Sequence, residues 1–220
     1  MFARSVSVGV LASICLFVLF GSPSHPRVNT VDPRKPLLAE TRSASDQPLP
    51  RRFPELTHDV FFGIDSLRKW KTIVIHHSGT TAGSAAAFDR YHRQTLGDPD
   101  GIKYHFVIGN GNGSPDGLIE ITDRWRRQLD AAHLYHPANA PDSVAICLVG
   151  NFEDSRPTQA QLDAAAKLAY VLMRRFDMPL SRVLTHRMVD EDATVCPGRN
   201  FHVDSLVQTL ANWSLTAPAN

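Results

Sequence analysis

The sequence predicts an α/β fold with a central mixed β-sheet of about five or six strands and helices on both faces. Two observations predict this class. Apolar runs typical of buried strands alternate along the chain with segments in which apolar residues recur at helical spacing. The run Val144–Val149 is apolar throughout, as expected of a central strand covered on both faces. A chain of 220 residues, 43% of them hydrophobic, is long enough to bury such a core.

The first half of the domain contains three predicted strands and one helix. A strand is predicted at Thr72–His76, and Ser84 is placed to cap a helix that runs to about Leu96. A second strand is predicted at Tyr104–Ile108 and a short one at Leu118–Ile121. The glycine- and asparagine-rich segment between them lacks the spacing of a phosphate-binding loop and predicts a hairpin connection.

The second half continues the alternation after the strand Val144–Val149. Thr158 and Gln161 have the spacing of a capping box, and the apolar residues that follow recur at helical spacing to Phe176. A further strand is predicted at Ser181–Thr185 and a final helix at Phe201–Trp213.

The N-terminal region is predicted to lie outside the folded domain. Residues 1–21 combine Arg4 with an apolar run over residues 6–20, which is short for a membrane span and typical of a signal peptide. The expected location is therefore the periplasm, the cell envelope or the extracellular space. An uncleaved N-terminal anchor is the alternative, and residues 6–20 would then tether the chain to a membrane.

Composition divides the rest of the chain. Residues 22–55 are rich in proline and poor in large apolar side chains, which predicts a disordered linker. The domain is predicted at 56–213, with a tail at 214–220. Residues 56–220 carry 16 Lys and Arg against 18 Asp and Glu, so no nucleic-acid partner is expected. We expect a monomer.

Three residues in two segments more than a hundred residues apart form a candidate zinc site. His76 ends a predicted buried strand, His186 follows another, and Cys196 lies in a loop before Pro197. Two imidazoles and one thiolate leave the fourth position of a tetrahedral zinc to water, which is typical of catalytic rather than structural sites. His77 should point to the opposite sheet face, because side chains alternate along a strand.

Two other uses of these residues remain open. Cys196 and Cys147 would form a disulfide in an oxidising compartment, which would remove the proposed ligand. A structural zinc site would need a fourth protein ligand, for which Asp190, Asp192 and His77 are near in sequence.

The segments around these residues resemble the zinc-dependent N-acetylmuramoyl-L-alanine amidases, a family that includes bacteriophage lysozyme-type amidases and peptidoglycan recognition proteins. The matching segments, in the family's order, are Ile73–Thr80, Gly101–Phe106, Asp116–Glu120, Ala132-His133, Ser143–Gly150, Pro157–Gln161 and His186–Gly198. The resemblance implies Zn²⁺ on His76, His186 and Cys196. It also implies peptidoglycan or muropeptides as partners and hydrolysis of the amide between N-acetylmuramic acid and L-alanine.

The resemblance also implies roles for three further residues. Tyr104 and Thr194 occupy positions that would assist catalysis, and His133 matches a histidine of the substrate groove. The alternatives are a half-buried strand tyrosine, a turn hydroxyl and a surface loop histidine. Related cytoplasmic amidases carry a glutamate base at the position of Cys147, so the group that protonates the leaving amine is unassigned, with Glu120 only a distant candidate. The alternative function is a recognition module that binds peptidoglycan without cleaving it.

Overall fold

The computed structural model describes residues 50–216. The predicted signal peptide or anchor at 1–21, most of the predicted linker at 22–55 and the end of the predicted tail lie outside this range. Among the described residues, no helix has the length and apolar content that crossing a membrane would require.

A five-stranded mixed sheet forms the centre of the structure, as predicted. Its strands are β1 (Thr72–His77), β2 (Phe106–Ile108), β3 (Ile119–Ile121), β4 (Ser143–Leu148) and β5 (Val183–Thr185), in the spatial order β3-β2-β4-β1-β5. Strands β1, β2, β4 and β5 are mutually parallel, and β3 pairs antiparallel with β2 at one edge. The predicted hairpin between β2 and β3 is confirmed.

Within residues 50–216, six α-helices accompany the sheet: α1 (Pro54–Phe61), α2 (Ala85–Gln94), α3 (Asp123–Arg126), α4 (Gln159–Phe176), α5 (His186–Val189) and α6 (Val203–Leu215). Helices α2, α4 and α6 were predicted, and the capping box of Thr158 and Gln161 is present at the start of α4. Helix α1 begins within the predicted linker, with Pro54 in its first turn, where a missing N–H is tolerated. Helix α6 ends two residues after the predicted domain boundary at 213.

The main core lies between one face of the sheet and three helices. Ile75 and Ile146 project from adjacent strands onto this face, and Val60 of α1, Leu172 of α4 and Leu210 of α6 pack in the same cluster. All five side chains are excluded from solvent. Burial of this apolar surface is the main stabilising contribution to the fold.

The opposite face of the sheet is covered by shorter elements. Phe88 of α2 packs against Val107 and Val149, and Val189 of α5 packs with Val74. The prediction of helices on both faces is therefore confirmed. This second face carries His76, because side chains alternate along β1 and Val74 is two residues earlier.

Strand β3 begins one residue later than predicted, and two other strands are two residues shorter than predicted, for local reasons. The predicted strand Tyr104–Ile108 begins only at Phe106, because the imidazole Nδ1 of His105 accepts the hydrogen bond of the Ala145 N–H at 3.0 Å. The His105 side chain thus accepts an N–H that a backbone carbonyl of the neighbouring strand would accept in a regular sheet. The predicted strand Ser181–Thr185 starts with a 3-10 turn over Leu180–Arg182, so only its last three residues pair with β1.

Candidate metal centre

Two neighbouring parallel strands bring the two predicted histidine ligands together. His76 lies near the carboxyl end of β1, and His186 follows β5 directly as the first residue of α5. Ile75 pairs with Thr185, so the residues after them lie side by side. Their ring centroids are 4.6 Å apart, and both side chains are buried. Parallel α/β sheets commonly place their ligand sites at these strand ends.

The loop after α5 supplies the third predicted ligand. The Arg187 N–H donates to the carbonyl oxygen of Cys196 at 2.8 Å, and the Cys196 N–H donates to the Thr194 hydroxyl oxygen at 3.1 Å. These bonds place Sγ of Cys196 3.7 Å from Nδ1 of His76. The sulfur also accepts a hydrogen bond from the His77 N–H at 3.4 Å.

The three donor atoms fit a zinc ion. One ligand atom from each of His76, His186 and Cys196 lies within 4.8 Å of the others. Tetrahedral zinc with Zn–N near 2.0–2.1 Å and Zn–S near 2.3 Å would place nitrogen and sulfur roughly 3.6 Å apart, close to the observed 3.7 Å. Among residues 50–216, Asp190, Asp192 and His77 are not members of this group. No fourth histidine, cysteine, aspartate or glutamate of the described residues therefore completes a structural site.

The protonation of the donor set also suits a cation. Burial is the largest cause that lowers the pKa of His76 and of His186, so both imidazoles are neutral at physiological pH and able to ligate. Burial raises the pKa of Cys196 to about 12, against the weaker opposing effect of the hydrogen bond from His77. A thiol of this kind becomes a thiolate only when a nearby cation stabilises the charge.

Each of the two histidines in the group has a hydrogen-bonding partner outside the group. Nε2 of His76 lies 2.5 Å from Nδ1 of His133, whose Nε2 is 3.2 Å from the hydroxyl of Ser143. Nε2 of His186 lies 3.1 Å from a carboxylate oxygen of Asp190. In both ligand histidines Nδ1 is thus the nitrogen that remains for a metal. Such outer partners are typical of metal-bound histidines.

An open cavity of about 380 Å³ lies over the group. The residues that line it include the three donors together with Tyr104, His133, Tyr135 and Thr194. The Tyr104 ring centroid is 5.4 Å from that of His76. Burial, with smaller effects from Cys147 and Cys196, raises the pKa of Tyr104, which keeps it a neutral phenol that can donate a hydrogen bond.

The remaining predicted residues take the following places. His133 is buried behind His76 rather than at the surface, although it lines the cavity. Glu120 accepts a hydrogen bond from the N–H of Ala85 and is not among the cavity-lining residues. Cys147 and Cys196 are both free, so the alternative disulfide is not formed. The substrate-contacting role of His133 and the catalytic roles of Tyr104 and Thr194 stay predictions.

The sequence did not predict two features of the centre. The sequence indicates Asp190 only as a candidate fourth ligand, whereas in the structure its carboxylate accepts a hydrogen bond from His186, four residues before it. That spacing places two residues on one helical face, and it was the available signal. Tyr135 stacks on the ring of His186 with centroids 5.6 Å apart and an interplanar angle of 17°. Nothing in the local sequence around Tyr135 indicates this contact.

Comparisons with known proteins find similar sequences and similar structures. Residues 66–199 match the family model described as N-acetylmuramoyl-L-alanine amidase. The chain is 32% identical over 114 residues to peptidoglycan-recognition protein SD of Drosophila melanogaster, covering 51% of this chain and 54% of that protein. It thus spans only about half the length of this relative. The chain is 27% identical over 150 residues to peptidoglycan-recognition protein 1 of Holotrichia diomphalia, covering 64% of this chain and 68% of that protein.

Among solved structures, the endolysin N-acetylmuramoyl-L-alanine amidase LysCS from Clostridium intestinale is 26% identical, with a TM-score of 0.53, covering 65% of this chain and 84% of that one.

Proposed function

This chain belongs to the N-acetylmuramoyl-L-alanine amidase family, and from that premise we propose that it is a zinc-dependent hydrolase of peptidoglycan. Its substrate is the amide that joins the lactyl group of N-acetylmuramic acid to L-alanine. The observation that carries the proposal is the buried group of His76, His186 and Cys196 beneath an open cavity. Because peptidoglycan lies outside the cytoplasmic membrane, the proposal includes export through residues 1–21.

The reaction consumes one water molecule. The carbonyl carbon of the lactyl amide gains a bond to oxygen, the C–N bond breaks, and the nitrogen of L-alanine leaves as an amine that takes up a proton. Zinc, when bound, supplies a Lewis acid and lowers the pKa of a bound water toward about 7. His76, His186 and Cys196 would hold the ion, and three protein ligands would leave one coordination position for water or substrate.

The cavity residues act on the charge that develops on the substrate. Tyr104 offers a phenolic O–H near the group, and a fixed donor of this kind stabilises the oxyanion that forms at the amide carbonyl. Thr194 offers a hydroxyl that also lines the cavity, although its oxygen already accepts the hydrogen bond of the Cys196 N–H. His133, which lines the cavity, would contact the sugar or the peptide.

The alternative function is a recognition module that binds peptidoglycan without cleaving it. Two relatives are named peptidoglycan-recognition proteins, which motivates this alternative. All three donors of the zinc group are retained in this chain, and that supports the enzyme. A binding module would need the cavity but not the open metal position.

The test compares two cysteine variants of the full chain. C196S removes one donor of the group, whereas C147A removes a second buried thiol of the described residues and leaves the three donors in place. Zinc content is measured by elemental analysis, hydrolysis by peptide release from purified cell walls, and binding by sedimentation with the same walls. We expect C196S to lose zinc and peptide release, and C147A to retain zinc.

The outcomes separate the two functions. Undiminished peptide release by C196S would reject the metal role of Cys196. Binding to cell walls by the zinc-loaded unaltered protein, with no peptide release at any zinc concentration, would establish the recognition module instead.

A further inference from the structure

We propose that Asp190 is a positioning residue that fixes the ring of His186 for metal binding and holds the adjacent wall of the cavity with the same carboxylate. The inference rests on the metal centre of the proposed function. Asp190 lies at the end of α5, and its side chain is completely buried. A buried carboxylate is costly unless its oxygens are hydrogen-bonded, so its partners indicate why it is there.

One carboxylate oxygen faces the metal centre. Oδ2 of Asp190 is 3.1 Å from Nε2 of His186 and 2.8 Å from the backbone nitrogen of Tyr135. A carboxylate only accepts, so it requires the proton of the imidazole to be on Nε2. The tautomer that results leaves the lone pair of Nδ1 free for the ion. Asp190 therefore selects both the orientation and the tautomer of His186.

The other oxygen holds the segment that forms one wall of the cavity. Oδ1 of Asp190 accepts from the backbone N–H of His136 at 3.2 Å, and it lies 3.1 Å from Nδ1 of the same residue. The side-chain amide of Asn139 lies 3.4 Å away. Within this segment, Tyr135 lines the cavity and stacks over the ring of His186 while remaining 66% exposed. The ligand and the wall above it are thus tied to one side chain.

An amide at this position would reverse the tautomer. In D190N, an amide whose oxygen takes the place of Oδ1 still accepts from the N–H of His136, and its NH₂ group then faces His186 and donates. Nε2 would then become the acceptor, and the proton would move to Nδ1, where it competes with the metal. The variant thus replaces the acceptor that faces His186 by a donor, with almost no change in the volume of the side chain.

The first test measures zinc affinity by competition with a chromophoric chelator, using the full chain. D190N is expected to bind zinc 10–100-fold more weakly, the range typical of lost outer partners of metal ligands. H136A is the matched control, because it removes a different partner of the same carboxylate. We expect its zinc affinity to stay within about threefold of the unaltered protein, in line with the small effect of a lost exposed contact. Equal zinc affinity in D190N and the unaltered protein would overturn the proposal.

A second measurement does not depend on the folding of a variant. Long-range ¹H–¹⁵N NMR of the zinc-loaded unaltered protein reports which nitrogen of His186 carries the proton. The proposal requires a protonated Nε2, and a protonated Nδ1 would overturn it. Neither readout uses hydrolysis. A protein that binds zinc without cleaving peptidoglycan would therefore refute the proposed function while leaving this inference intact.

Discussion

At the scale of single residues, burial sets the chemistry of the metal centre. Desolvation keeps His76 and His186 neutral and keeps Cys196 protonated until a cation arrives. The sulfur also receives the backbone N–H of His77, which supports a negative charge there. These shifts fit a group that binds a divalent ion better than they fit a free nucleophilic thiol, whose pKa would be lowered and not raised.

The neutral phenol of Tyr104 leads to a kinetic prediction. In Y104F the donor that would stabilise the developing oxyanion is lost, and we expect kcat to fall by about 10²-fold with little change in KM. Steady-state kinetics on a soluble muropeptide measures both constants. Y91F, which alters an exposed tyrosine of α2, is the control and should behave as the unaltered protein. An unchanged kcat in Y104F would remove Tyr104 from the mechanism.

The residue types predicted the three donors, but they did not predict the residues that hydrogen-bond to the two histidines. His76, His186 and Cys196 are recognisable because each lies at or just after a strand end or before a proline turn. The hydrogen bonds of His133 to His76, and of Asp190 to the segment around Tyr135, join positions more than fifty residues apart. No local pattern encodes such pairings, since they depend on how loops pack over the finished sheet.

At the scale of elements, the parallel pairing of β1 with β5 creates the centre. Both strands were predictable because their residues form apolar runs, and the capping box made the start of α4 predictable. Helices α3 and α5 have four residues each, which is about one turn. Such segments are too short to show helical periodicity, so the sequence could not reveal them.

The junction between β2 and β4 predicts a pH dependence of stability. His105 is fully buried there, where Nδ1 accepts from the Ala145 N–H and Nε2 bonds to the carbonyl of Leu129. Burial is the largest cause that lowers its pKa from 6.5 to about 4. Between these values the unfolded chain binds a proton that the folded chain does not, so the free energy of unfolding falls as pH falls from 6.5 to about 4. The loss from this residue amounts to about 3 kcal/mol.

The variant H105N isolates this contribution, because its amide retains an acceptor for the Ala145 N–H and does not titrate. Urea unfolding of the metal-free protein at pH 7 and pH 4 gives the two free energies for each protein. We expect the unaltered protein to lose about 3 kcal/mol more than H105N over this interval. Identical losses would show that His105 does not remain neutral in the folded state.

At the scale of the whole molecule, metal binding and folding should be linked. The three donors come from β1, α5 and the loop after α5, so an ion that binds all three favours the folded chain. At free zinc 100 times above Kd, the free energy of unfolding should rise by about 2.7 kcal/mol. Urea unfolding in zinc-buffered solutions measures this rise. C147A should show it and C196S should not, whereas an equal rise in both variants would place the zinc elsewhere.

The most direct measurement of the central claim is mass spectrometry of the products formed from one defined muropeptide that contains the lactyl–L-alanine amide. With zinc-loaded protein, we predict a peptide that begins with a free L-alanine amine and a muramic acid fragment with a free lactyl carboxyl group. A chelator should abolish both products, and added zinc should restore them. An intact muropeptide after prolonged incubation with the zinc-loaded protein, or cleavage that a chelator does not affect, would contradict the account.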